Sequence, residues 1–188
     1  EALTKRPMFL VGECKNVTID NLCMKYIGHH AVCAGGHVVG LQVTNCEIGW
    51  IGGTIQHYLG TDQNYPQGGR GTVTRYGNGI ELNGGVDGAL IEDNWIYQCY
   101  DAGYTNQGPG TQQNITSRGN LMEYSQYNIE IWLSRKEPSV MRNSVIEDNI
   151  LRFAGYSFGS FNRMNSSSCA CGNISAYDYV LPCENVLI

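Results

Sequence analysis

The sequence predicts an all-β domain built as a parallel β-helix, a single-stranded solenoid of about six coils. Three observations lead there. A short apolar-alternating motif recurs at a near-constant interval. No segment carries the 3.6-residue period of an amphipathic helix. Glycine is abundant, 24 of 188 residues, and charged residues are only 15%, a composition that disfavours a helical bundle.

The repeat is anchored at Ile19, Val43, Ile91, Ser117 and Ile146, at intervals of 24, 48, 26 and 29 residues. Three residues past the anchors stand Leu22, Cys46, Asn94, Asn120 and Asn149. Five past stand Met24, Ile48, Ile96, Met122 and Leu151. Coils stacked about 4.8 Å apart bring each column into one line. The five-past column therefore predicts an interior apolar file. The asparagines predict an amide ladder at a bend, bonded to one another and to turn backbone.

The doubled interval after Val43 predicts an inserted loop over 53–77, polar and Gly-rich, with an extra degenerate coil as the rival reading. Residues 164–183 break the repeat and predict an irregular loop before a further coil, within a single domain spanning 1–188. Glu184–Ile188 repeats the lead-in at Asn16–Ile19, and Pro7–Leu10 reads as a strand of an earlier coil. Both ends thus predict a piece of a longer solenoid, or edges covered by another chain.

Composition narrows the function classes. A net charge of −5 without a basic stripe argues against nucleic-acid binding. No run of apolar residues is long enough for a membrane span, and 10% aromatics with low charge argue against disorder. Of the 8 cysteines, Cys14, Cys23, Cys33, Cys46 and Cys99 read as buried free thiols. A bridge from Cys183 to Cys169 or to Cys171 stays open. No C-x-x-C pair and no compact Asp cluster suggests a metal, and no cofactor is expected.

The segments Gly77–Leu82, Ile91–Asn94 and Tyr100–Gly103 resemble the right-handed parallel β-helix repeat family, with the pectate-lyase-like fold, over about residues 8–161. The resemblance implies right-handed winding and action on a polysaccharide or oligosaccharide. An extracellular or periplasmic setting is the matching expectation. The Asn-x-Asp plus Asp-Asp pattern of the polygalacturonase group is missing, as is the calcium pocket of a lyase.

Strand alternation assigns the outward columns. Thirteen past the anchors come Val32, Glu81, Tyr104, Glu130 and Gly159; ten past, His29, Asn78, Asp101, Tyr127 and Tyr156; fifteen past, Ala34, Asn83, Asn106, Trp132 and Phe161. Glu81 and Glu130, two rungs apart, would have backbones about 9–10 Å apart. Inverting glycosidases hold their two carboxyls roughly 6.5–9.5 Å apart. Glu81, Glu130 and Asp101 on the middle rung are therefore the candidate catalytic acid and base. Tyr104 and Trp132, with Tyr127 and Tyr156, predict a sugar platform. Asn83, Asn106 and His30 would line the same face, and Arg75, with Arg70, would suit an acidic sugar. The leading expectation is a glycoside hydrolase. The alternatives are a non-catalytic carbohydrate-binding or structural module, and a polysaccharide lyase.

Overall fold

The computed structural model describes residues 9–58, 73–75, 77–133, 138–160, 171–176 and 183–188. Within them the regular elements are all β-strands, numbered along the chain. One stack holds β1 (Phe9–Lys15), β4 (Val32–Val39), β9 (Ile80–Asp87), β12 (Ala102–Gly108), β16 (Tyr127–Leu133) and β19 (Gly172–Ala176). A second holds β2 (Thr18–Asp20), β5 (Gln42–Thr44), β10 (Leu90–Glu92), β14 (Thr116–Arg118) and β17 (Ser139–Glu147). Beside β17 lie β13 (Gly110–Gln113) and β20 (Cys183–Leu187). The third holds β3 (Cys23–Ile27), β6 (Glu47–Ile51), β11 (Trp95–Cys99), β15 (Leu121–Glu123) and β18 (Ile150–Arg152). Pairing in these stacks is parallel throughout. The remaining strands, β7 (Ile55–Tyr58) and β8 (Val73–Arg75), pair antiparallel as a separate two-stranded sheet.

The register follows the repeat. Ile19, Val43, Ile91, Ser117 and Ile146 are in line across the second stack. Met24, Ile48, Ile96, Met122 and Leu151 are in line across the third. These lines bury aliphatic surface, which the parallel geometry repeats on each rung. The chain turns left-handed at fixed places, between strands or, at Asn143 and Asn185, within β17 and β20. One such column is Asn16, Gly40, Gly88, Asn114, Asn143 and Asn185; another is Asn21, Asn45, Asp93, Gly119 and Asp148. Asn, Asp and Gly are the residues that adopt this conformation most readily.

The expected amide ladder is present. Asn94 Nδ2 donates to Asn120 Oδ1 at 2.9 Å, and Asn120 Nδ2 to Asn149 Oδ1 at 2.8 Å. Asn94 Nδ2 and Asn120 Nδ2 also reach the backbone carbonyls of Val43 and Ile91. At the expected insertion, a Cβ on Gly77 would meet Gly52 Cα at 2.0 Å. The chain therefore leaves and rejoins the stacks at touching points.

Three expectations change. In the first stack Ile80 pairs with Tyr104 and Tyr104 with Ile129, so Tyr104 faces inward, fully buried. Asn106, two residues on, is likewise interior and buried. The cause is a turn that differs in length. Ile96 and Tyr104 are interior partners of Met122 and Ile129, so the second of these coils crosses the corner in one residue fewer. A fixed offset from the anchors then slips by one, and one residue moves a side chain to the other face. Second, the aromatic platform dissolves: Tyr104 and Tyr127 are buried, whereas Trp132 and Tyr156 are exposed. Third, among the cysteines read as buried, Cys46 and Cys99 are so, Cys14 and Cys33 are half-buried, and Cys23 is exposed. Cys171 and Cys183 are both free and exposed; Cys169 lies outside the described residues.

Candidate functional site

Cys33, Glu81, Thr105, Glu130 and Ser175 share the outward row of the first stack, with Gly35, Asn83, Gln107 and Trp132 in the next. Glu81 and Glu130 thus stand two rungs apart with Thr105 between them, and both are buried. Glu81 is enclosed by donors. Asn78 Nδ2 reaches Oε2 at 2.6 Å, Asn83 Nδ2 reaches Oε1 at 3.0 Å, and Cys33 Sγ lies 3.8 Å from Oε1. Glu130 Oε2 accepts from Thr105 Oγ1 at 3.0 Å and from Gln107 Nε2 at 2.9 Å.

His30 completes the cluster around Glu81. Its Nδ1 accepts the backbone N–H of Asn78 at 3.0 Å, and its Nε2 lies 3.3 Å from Glu81 Oε2. An accepting Nδ1 carries no hydrogen, so the ring proton sits on Nε2 and points at the carboxylate. Burial holds the His30 pKa below the usual histidine value, against the opposing pull of Glu81 and Asp101. Burial likewise pushes the Cys33 thiol up to about 12, which makes it a poor nucleophile. With both nitrogens occupied, His30 has no site for taking a substrate proton. Asn78 Oδ1 meanwhile accepts the N–H of Ala102 at 2.8 Å. The group ties together the turns that lead into β4, β9 and β12, as the asparagine ladder ties another corner.

Of the sequence candidates, the structure brings His30, Glu81, Asp101 and Asn83 together, with Glu130 two rungs off and Trp132 exposed beyond it. Tyr104 and Asn106 belong to the interior, where Tyr104 Oη donates to Asn106 Oδ1 at 2.9 Å. The side chains of Arg75 and His57, and all of Arg70 and Phe161, lie outside the described residues. Among the described residues no group of three or more His, Cys, Asp or Glu is arranged to hold a metal ion.

A second feature escaped the sequence reading. A third left-handed column, seven residues past the anchors, consists of Tyr26, Trp50, Gln98, Tyr124 and Phe153, with φ of 58°, 57°, 50°, 54° and 54°. Here bulky side chains occupy a conformation they ordinarily avoid. Tyr26 is 79% exposed, Phe153 49% and Trp50 40%. Tyr124 and Phe153, on successive rungs, stack at 4.8 Å. The rung without an aromatic is Gln98. Its Oε1 accepts the backbone N–H of Phe158 at 2.7 Å, and the Phe158 ring lies 5.8 Å from Trp50. Alongside, on the outer face of the third stack, Trp95 stacks on Tyr97 at 4.5 Å. The repeat alignment already contained this column; carrying it to the seventh position would have found it.

Comparison with protein-family models, with curated proteins and with solved structures returns no match to this chain.

Proposed function

We propose that the chain is a right-handed parallel β-helix of about six coils that binds carbohydrate on its outer aromatic file without cleaving it. The regular visits to three stacks and the uniformly parallel register support the solenoid. Parallel connections wind right-handed in nearly all proteins, which supports the hand.

One observation carries the binding reading: aromatic residues held left-handed where asparagine or glycine would be cheaper. Two neighbouring columns supply Asn, Asp or Gly at the equivalent turns. The third keeps Tyr26, Trp50, Tyr124 and Phe153, at about 1–2 kcal/mol of strain for each residue. Strain held against a cheaper alternative, on side chains exposed at Tyr26, Trp50 and Phe153 and half-buried at Tyr124, marks a surface used for recognition. Aromatic rings present apolar area with little conformational entropy to lose, which suits the C–H surfaces of sugars.

The test is binding to a panel of soluble and insoluble polysaccharides, with Trp50→Asn and Tyr124→Asn as variants. The expected result is binding by the native chain that falls about tenfold or more in each folded variant. Failure to bind any polysaccharide, or unchanged binding in both variants, overturns the reading.

Hydrolysis is the second reading, favoured by one feature: two glutamates in one row, two rungs apart. Against it, both Glu81 oxygens already accept protein donors. Release of reducing ends that disappears in both Glu81→Gln and Glu130→Gln, each still folded, would establish hydrolysis in place of simple binding.

A further inference from the structure

We infer that the ligand of the aromatic file is an uncharged polymer lying along the stacking direction, across successive rungs. This rests on the carbohydrate-binding reading above and narrows it to a substrate class.

The outer face of the third stack flanks the file. Each of its strands turns two positions outward in matched rows. The charged residues there are Lys25, Glu47, Glu123 and Arg152, so the face is neutral in sum. Each charge is closed in a pair: Lys25 Nζ lies 2.5 Å from Glu47 Oε1, and Arg152 Nε lies 2.6 Å from Glu123 Oε2. The polar tips of the neighbouring rings are spent on the same glutamates. Tyr97 Oη donates to Glu47 Oε1 at 2.9 Å, and Trp95 Nε1 donates to Glu123 Oε1 at 3.0 Å.

What the face offers a ligand is therefore apolar ring surface, without an uncompensated cation for a carboxylate or sulfate. A uronate would lose water from its charge and meet as its nearest cation Arg152, which lies over the Phe153 ring and is already paired with Glu123, so the charge is poorly repaid. A neutral sugar loses much less. The direction follows from the repeat, because the rings recur rung by rung along the stack. A chain laid that way meets a ring of the file on four of its five rungs, all but that of Gln98, whereas a chain laid along one strand meets one or two.

The experiment measures affinity for neutral β-linked gluco- and xylo-oligosaccharides of increasing length, and for polygalacturonate, at low and high sodium chloride. Affinity is expected to rise with oligosaccharide length by about tenfold or more, and to change less than about twofold with salt, since no net charge is neutralised. Preference for polygalacturonate, with affinity dropping about tenfold in high salt, would overturn the inference while leaving carbohydrate binding intact. Affinity independent of length would overturn the lengthwise placement. Absence of binding to every sugar would instead remove the reading on which the inference rests.

Discussion

An exposed aromatic residue in the left-handed region is a liability that a single substitution relieves. Tyr26 shows this best, because its ring is largely in water and its φ is 58°. Asparagine adopts the same backbone at lower cost, and little buried area is lost with the ring. Tyr26→Asn is therefore expected to stabilise the fold by about 0.5–1 kcal/mol, read as a higher urea midpoint at unchanged slope. A ring retained for packing would give the opposite sign. The combination of higher stability with weaker sugar binding is the mark of a residue kept for function, and neither change alone would make that case. Glu81 sits at the other extreme. Its carboxylate is enclosed by Asn78, Asn83, Cys33 and His30, so its substitution is expected to act first on folding.

Between elements, the asparagine ladder concentrates polar bonds at one corner. Asn120 Oδ1 accepts from both the backbone N–H and the Nδ2 of Asn94, while its own Nδ2 reaches Ile91 O and Asn149 Oδ1. Asn120→Ala would leave several buried groups unpaired at once, and a loss of about 3 kcal/mol or more is expected in urea unfolding. Asn149, half-buried at the edge of the ladder, is expected to lose less, about 1 kcal/mol. Equal losses at both positions would mean that the ladder is not cooperative. This element was legible in the sequence because a buried turn carboxamide has few substitutes, so Asn94, Asn120 and Asn149 recur at matched intervals. The interior files were legible for the same reason, since Met24, Ile48, Ile96 and Met122 must all be apolar. The first-stack face was legible only in part. Glu81, Asn83, Glu130 and Trp132 fell in their proper rows, but Tyr104 and Asn106 did not. A corner shortened by one residue leaves no compositional trace, yet it reverses which side chains face water. The aromatic file was hidden differently: left-handed turns announce themselves through Asn and Gly, and here Tyr, Trp and Phe take that role.

Across the whole molecule, the stacks are joined at corners, and one corner titrates. His29 and His30 stand next to each other with ring centroids 4.1 Å apart. Burial lowers the pKa of both, His29 to about 4 from an ordinary 6.5, with Glu81 pulling upward on each and Asp101 on His30. The unfolded chain therefore takes up protons first as pH falls through 6.5. Stability should be full above that value and decline down to about 4, where folded His29 also titrates. His29 is half exposed, so its share is reduced by solvent screening to about 1–2 kcal/mol. His30 adds a structural consequence. A proton on Nδ1 would face the Asn78 N–H that now donates to it, breaking the link between the turns before β4 and β9. Amide exchange at Asn78 and Ala102 is expected to accelerate over this range ahead of the ladder amides of Asn94 and Asn120. In His29→Gln the slope of stability against pH between 6.5 and 4 should flatten by its share, and in His29→Gln with His30→Gln it should nearly vanish. Asp20, Glu47 and Asp87, whose pKa values are lowered chiefly by side-chain hydrogen bonds, begin to lose their contributions as the unfolded carboxylates protonate near their ordinary values, and so leave a residual slope at the acid end of this range and below it. An undiminished decline between pH 6.5 and 4 in the double variant would locate the acid sensitivity elsewhere in the molecule.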